Sequence, residues 1–402
     1  MAGLIQDATD VAAIGLLVFW AERAVDAARG GRTVRALPAV PPCDYGTAPT
    51  VSVVVAARNE ARDVARGVGS LLALAYPHHD VIAVDDRSTD GTGAILAALA
   101  EADPRLRVAH VERLPPGWLG KNRALATGAA AAAGRWLLFV DADVVVEPTA
   151  LGRAVGYAEA HDLDHLTVLP TVVARGPALR AFVAYIAFLL AGTTRPWRVR
   201  DPQRREFIGI GAFNLVRRSA YVACGGHAAI RERPDDDMRL AERLKRWGGR
   251  SDVVVSRGSV QVEWQPDVAS AVTALEKTAL ATLDYRMDVL AGGLVALAVA
   301  GLLPFVGAAA AGGWTRWPFL AAALISVILY ARAGRAVTDF PAWWAVALPA
   351  VHVAWVSAQA LAGLRVLRRG GILWRGTFYS LPMLRGAGGL PGRPRPRTPG
   401  MR

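Results

Sequence analysis

The chain is short of cysteine, of lysine, of charge in general and of phosphate-cradling glycine loops. Two cysteines, Cys43 and Cys224, are all that 402 residues contain. That excludes a disulfide scaffold and a cysteine-rich zinc site, and it fits a reducing compartment. Three lysines stand against 43 arginines. Neither the Walker pattern nor Gly-x-Gly-x-x-Gly follows the first predicted strand, which counts against kinases, ATPases and dinucleotide oxidoreductases. Charged residues make up only 20% and apolar ones 53%. Such a chain is too apolar for intrinsic disorder and unusual for a wholly soluble enzyme.

Positive charge is what remains in excess, at +12. Nine arginines fall between Arg365 and Arg402, where no acidic residue occurs, so the excess belongs mainly to the tail. A tail of this kind suits anionic lipid or another polyanion, and no nucleic-acid partner is expected because no folded basic face is implied.

Long apolar runs gather in the last third. Residues 289–311 carry no charge and as a helix span about 35 Å, enough for a hydrocarbon core. Residues 340–364 are similar in length but are broken by Pro349 and carry His352 and Gln359. Residues 317–331 reach only about 22 Å. Near the start, residues 11–21 are short for a span and lack the features of a signal peptide. Arg23, Arg29, Arg32 and Arg35 follow, so if this run crosses, the next region is cytoplasmic; an interfacial helix is the alternative. Three full crossings after a cytoplasmic domain would leave the arginine-rich tail outside, so one of the three segments is expected to be re-entrant or interfacial, with the Pro349-broken stretch the candidate. The expectation is a multi-pass protein of the cell membrane with its catalytic domain facing the cytoplasm.

Between these regions the pattern becomes β-branched runs alternating with alanine- and leucine-rich helical segments. Strands are predicted at 51–56, 81–84, 106–111 and 136–140, and helices at 59–74, 92–101 and 121–133. Such alternation implies an α/β domain with a mainly parallel sheet and a ligand site at the carboxyl ends of the strands. Arg58-Asn59-Glu60, Asp85-Asp86 and Asp141-Ala142-Asp143 fall at those ends. An Asp-x-Asp pair just past a buried strand can aim two carboxylates at one hard divalent cation, although alone it is more often a turn. Asp85 and Asp86 read equally as a turn and helix cap. Arg233-Pro-Asp-Asp-Asp237 heads a predicted helix, where first-turn acids commonly cap; three in a row exceed what capping needs. His161 and His165 flank two acids, and a solvated helix end is favoured there over a metal site.

These motifs together carry a resemblance. Residues 51–60 (VSVVVAARNE), 84–92 (VDDRSTDGT), 117–122 (GWLGKN) and Asp141-Ala-Asp143 are similar to the family 2 glycosyltransferases of GT-A fold. Residues 114–121 (LPPGWLGK) resemble the membrane-bound hopanoid-associated and carotenoid-glycosylating branches. Trp374-Arg375-Gly376 followed by Tyr379 resembles the tail of the ceramide glucosyltransferase group. The resemblance implies a Rossmann-like GT-A catalytic domain with C-terminal transmembrane helices, laid out as four regions. These are an N-terminal short transmembrane or interfacial helix (1–35), the GT-A domain (48–278), transmembrane or re-entrant helices (286–366) and a basic tail (367–402).

By the same resemblance, the backbone at Ala57, Arg58 and Asn59 with the Glu60 carboxylate would hold the nucleoside of a nucleotide-sugar donor. Asp85 would accept from the base with Asp86 near it, Asp141 would face the ribose, and Asp143, with Asp141, would hold Mg²⁺ or Mn²⁺. Lys121 would lie near the base and phosphates, and Trp374 and Arg375 would close over the diphosphate. Asp236 and Asp237 match the family's acidic pair, with Asp237 the candidate general base. The loop carrying Gly209 and Gly211 would face the acceptor, and residues 178–192 would form an interfacial helix guiding a lipid or else a core helix. The implied reaction moves one sugar onto a membrane lipid of polyprenoid, carotenoid, hopanoid or sphingolipid type, with inversion. The alternatives are a processive glycan synthase and a membrane-anchored binding protein with a degenerate domain. Arg243-Leu-Lys-Arg-Trp247 matches the processive Arg-x-x-Arg-Trp pattern by letter but lies inside the helix that follows Asp237, which disfavours polymerisation.

Overall fold

The computed structural model describes residues 2–386, so part of the basic tail lies outside the described residues. Two compact units divide the chain. One contains Val34–Val172, Pro196–Glu263 and the chain from Leu373; the other contains the chain up to Thr33, Val173–Arg195 and Trp264–Ile372.

The first unit is α/β. Its strands are β1 Arg35–Ala36, β2 Val51–Ala57, β3 His79–Asp85, β4 Leu106–His110, β5 Trp136–Asp141, β6 Val144–Val146, β7 His165–Leu169, β8 Thr171–Val172, β9 Asn214–Arg217, β10 Ser251–Val255 and β11 Val260–Val262. Eight form one sheet in the order β1-β10-β7-β9-β5-β2-β3-β4. Neighbours run parallel except around β9, which is antiparallel to both β5 and β7. All seven residues of β2 are buried, because helices cover both faces of the sheet. Side chains alternate between the two cores: Val53 and Val55 pack with Val64, Val68 and Leu71, whereas Val54 and Ala56 pack with Ala124 and Leu125. Register then aligns the strand ends. Ala57 pairs with Asp85 and Ala56 with Asp141, so three of the polar clusters finish at one edge.

The helix expected from residue 59 begins only at Val64. Asn59 adopts φ +54, and residues 59–61 are tied to the loop after β3. Asn59 N donates to Ser88 Oγ, Glu60 N to Thr92 Oγ1 and Ala61 N to Asp90 Oδ2, while Thr89 N donates to Asn59 Oδ1. These bonds take the N–H groups that a helix start would otherwise leave to water.

The second unit is helical and apolar. Among the described residues, five helices are long and apolar enough to cross a membrane, covering Leu4–Gly30, Pro177–Arg198, Met287–Ala310, Gly313–Val337 and Ala342–Arg369. The N-terminal helix, Ala2–Gly30, is far longer than the run at 11–21 that the apolar pattern picks out. Its polar residues have partners: Thr315 donates to Asp10, Gln6 donates to Thr315, and Arg195 pairs with Glu22 and Asp26. Residues 173–195, expected inside the α/β domain, pack here instead, with Tyr330 donating to Ala181 O. The helix Arg316–Val337 also exceeds the 317–331 run, because Arg332 and Arg335 extend past the apolar stretch.

Pro349 stands in the first turn of the helix Leu348–Arg369, where its missing N–H costs nothing. That helix starts beside the middle of Met287–Ala310, where His352 bonds Leu297 O and Gly301 abuts the imidazole. It ends near the first turn of the same helix, where Gly363 meets Leu290. Phe340 folds back to meet Tyr330 edge to face, with ring centroids 5.1 Å apart. The chain from 338 to 369 therefore enters this bundle and leaves it at one end.

Candidate active site

Asp141 closes β5, and its N–H donates to Gly211 O. Gly211 N returns a bond to Asp237 Oδ2 at 2.8 Å, while Asp237 Oδ1 accepts from Met238 N. Lys121, near the start of the helix Gly120–Ala131, places Nζ 2.8 Å from Asp141 Oδ1 and 3.3 Å from Asp236 Oδ2. Asp236 and Asp237 open the helix Asp236–Arg246. Sheet edge, helix start and the 209–213 loop thus deliver Lys121, Asp141, Asp236 and Asp237 to one place.

The two glycines of that loop are points of close approach. A Cβ at 209 would lie 2.1 Å from Asp237 O, and one at 211 would lie 2.5 Å from an Asp141 carboxylate oxygen. Gly209 thus packs against the backbone of Asp237 and Gly211 against the Asp141 carboxylate.

Asp143 sits two residues past Asp141. Its carboxyl is pushed up to about 7 by burial, then by the Asp141 and Glu60 carboxylates. Burial also raises Glu60, against the pull of Arg375. Asp237 is pushed up to about 6 by burial and by Asp236. Burial would lower Lys121, but Asp141, Asp236 and Asp237 outweigh it and hold the ammonium above its ordinary value.

The neighbouring loops carry the remaining candidates. Ala57 O accepts from Asp86 N. Asp86 is held by Arg87 Nε at 2.7 Å and by Arg58 at 3.5 Å, and a Cβ at Gly120 would collide with it. Asp85 is buried, accepts from Ser88 N and lies 3.5 Å from His110. Arg375, at the turn between strands Gly371–Trp374 and Thr377–Ser380, donates to Glu60 Oε1 at 2.6 Å and to Arg58 O at 3.4 Å. Trp374 faces Tyr379 with ring centroids 6.3 Å apart. Asp85 and Asp86 belong to the Arg58 and Arg375 side of the site, and Asp236 and Asp237 to the Lys121 side; Asp141 faces both through Lys121 and Glu60.

Three contributors escaped the sequence reading. Asn214 and His227 line a cavity of about 10 Å³ with Lys121, Asp141, Asp236 and Asp237, room for about one water. His227 is pushed down to about 3 by burial and by Lys121. Arg87 lay inside a quoted motif but only the fold shows it gripping Asp86. No spacing marks Asn214 or His227. His165, expected at a solvated helix end, is buried in β7 against Asn214 and Thr167, because the strand begins there.

The charged groups that act on Asp143 are the Asp141 and Glu60 carboxylates and the Lys121 ammonium, and among the described residues no group of three or more His, Cys, Asp or Glu is arranged to hold a metal ion. A carboxylate pair that leaves coordination open fits Mg²⁺ or Mn²⁺ completed by phosphate oxygens and water.

The profile of the family described as Glycosyl transferase family 2 matches residues 52–236. The succinoglycan biosynthesis protein ExoO of Rhizobium meliloti is 37% identical over 138 residues, 33% of this chain and 37% of that protein. The beta-monoglucosyldiacylglycerol synthase of Synechocystis is 30% identical over 241 residues, 58% of this chain and 50% of that protein. The chain thus spans half or less of these curated relatives. The mannosyltransferase PcManGT from Pyrobaculum calidifontis, solved with GDP-Man and Mn²⁺, superposes with a TM-score of 0.54 at 19% identity, covering 89% of this chain and 98% of that one. Motifs, sheet order and these likenesses agree: the chain carries a glycosyl transferase family 2 domain of GT-A fold.

Proposed function

We propose that the protein transfers a single sugar from a nucleotide-sugar donor to a membrane lipid, with a divalent cation and inversion at the anomeric carbon. The observation that carries this reading is the convergence of Asp141, Asp143, Asp236, Asp237 and Lys121 at the carboxyl edge of the sheet, in a chain whose described residues include five helices long and apolar enough to cross a membrane. The lipid acceptor is supported by the diacylglycerol glycolipid synthase among the relatives and by those helices.

Asp143 and Asp141 would hold the cation, which when bound offsets charge on the departing nucleoside diphosphate. The space beside Lys121 admits about one water, so the donor is assigned to the side of the site that carries Arg58, Glu60 and Asp143. Glu60 and the 57–59 backbone orient the nucleoside, with Asp85 and Asp86 beneath. Arg375, beside Glu60, supplies positive charge at that rim. Asp237, oriented by Gly211 N and Met238 N, takes the proton of the acceptor hydroxyl as it attacks.

Charge distribution supports a cytoplasmic catalytic face. Arg29, Arg32, Arg286, Arg332, Arg335, Arg365 and Arg368 lie at one end of the helical bundle, and Arg316 at the other. The positive-inside tendency puts the richer end in the cytoplasm, and the segment 338–369 leaves the bundle at that end.

Membranes containing the protein, supplied with a panel of nucleotide sugars and lipid extract, test the reading by mass analysis of the product. One added sugar of inverted configuration, lost in Asp143→Ala and Asp237→Ala, is expected. A polymer, a retained configuration, or full activity in both variants overturns it.

A further inference from the structure

The four acids of the cluster are not equivalent. Lys121 Nζ sits between Asp141, at the end of β5, and Asp236, in the first turn of Asp236–Arg246. The Lys121 side chain is 12% exposed, so its charge is spent on those two carboxylates rather than offered to solvent. Asp237 is held by two backbone N–H groups instead, those of Gly211 and Met238. Asp143 has no ion-pair partner among the described residues. One ammonium therefore spans the two structural elements that carry the acids and balances one acid from each.

We infer that Lys121 is a positioning residue that ties Asp141 to Asp236 and leaves Asp143 and Asp237 as the carboxylates with no side-chain ammonium or guanidinium in ion-pair contact. This inference rests on the proposed function and deepens it, because it gives Lys121 no contact with the donor. A buried ammonium already within bonding distance of two carboxylates is a costly group to redirect to a phosphate, since the acids it left would repel across the cleft.

The test is a cycle of Lys121→Met, Asp236→Asn and the double variant in the full-length protein, with kcat and donor KM measured between about pH 5.5 and 9. The groups facing Asp237 are Asp236, Lys121 and Asp141, so removing the ammonium should push the acidic limb of kcat upward. The expected result for Lys121→Met is a fall in kcat of about tenfold at neutral pH, donor KM within about twofold, and a limb shifted by about one pH unit. The double variant should recover at least about threefold over Lys121→Met, because it removes one of the two carboxylates left without a cation. If donor KM rises about tenfold with the limb unmoved, Lys121 binds the donor and the inference falls. A double variant no better than Lys121→Met overturns it as well. Should Lys121→Met not fold, Lys121→Arg keeps the charge and is expected to lower kcat without raising donor KM; a raised KM again overturns the inference. Asp237→Asn, run in parallel, separates the two readings, since full activity there removes the assigned base whatever Lys121 does.

Discussion

Gly211 donates its N–H to Asp237 at 2.8 Å while its Cα lies so close to Asp141 that a Cβ would come within 2.5 Å of that carboxylate. One residue without a side chain thus couples the sheet edge to the acidic helix start. Gly211→Ala should destabilise the α/β unit by about 1–3 kcal/mol through overpacking and lower transfer, read by thermal denaturation together with turnover. Wild-type stability in this variant would mean that the loop yields freely.

As the proposed base, Asp237 would act only when ionised, and burial with Asp236 holds its carboxyl at about 6. Transfer should therefore rise as pH rises through about 6, with kcat at pH 5 about tenfold below its plateau. A kcat profile that is flat across this range would exclude Asp237 as the base.

Chelation should abolish transfer, and either Mg²⁺ or Mn²⁺ should restore it. Asp143→Asn keeps the shape but removes charge, so it should raise the cation concentration needed for half-maximal activity by at least about tenfold. Titration of activity against each cation, in wild type and variant, reads this directly.

Arg375 meets both Glu60 and Arg58 O, and more than a third of its side chain is exposed. A pair this open contributes at most about 1 kcal/mol to stability. Arg375→Ala should leave the melting temperature nearly unchanged and raise donor KM. Arg375→Lys should restore little, because an ammonium cannot make both contacts in the same geometry.

The bundle yields a topological expectation. In a chain with Cys43 and Cys224 replaced by alanine, a cysteine at Gly313 should react with an impermeant reagent from outside intact cells. Cysteines at Arg286 and Arg369 should react only after permeabilisation. Labelling of position 369 from outside would show that the segment 338–369 crosses.

Much of this was legible in the chain. Seven consecutive buried residues in β2 follow from a β-branched run, and polar residues directly after such runs must emerge at a sheet edge, because a parallel strand ends where its ladder ends. That logic locates Glu60, Asp85, Asp141 and Asp143 without coordinates. It fails where polar side chains are satisfied by distant partners. Asp10 and Glu22 bound the apolar run of the N-terminal helix and make it look short, yet Thr315, some three hundred residues away, donates a hydrogen bond to Asp10, and Arg195, some one hundred and seventy residues away, pairs with Glu22.

Local sequence thus determined which residues end the strands and which carry charge there, since strand period and burial are properties of neighbouring residues. Tertiary structure alone decided who faces whom: that Lys121 joins Asp141 to Asp236, that Gly211 holds Asp237, and that residues 173–195 join the apolar helices. Those pairings depend on register between strands and on packing across the sheet, and neither is written in the spacing of any single segment.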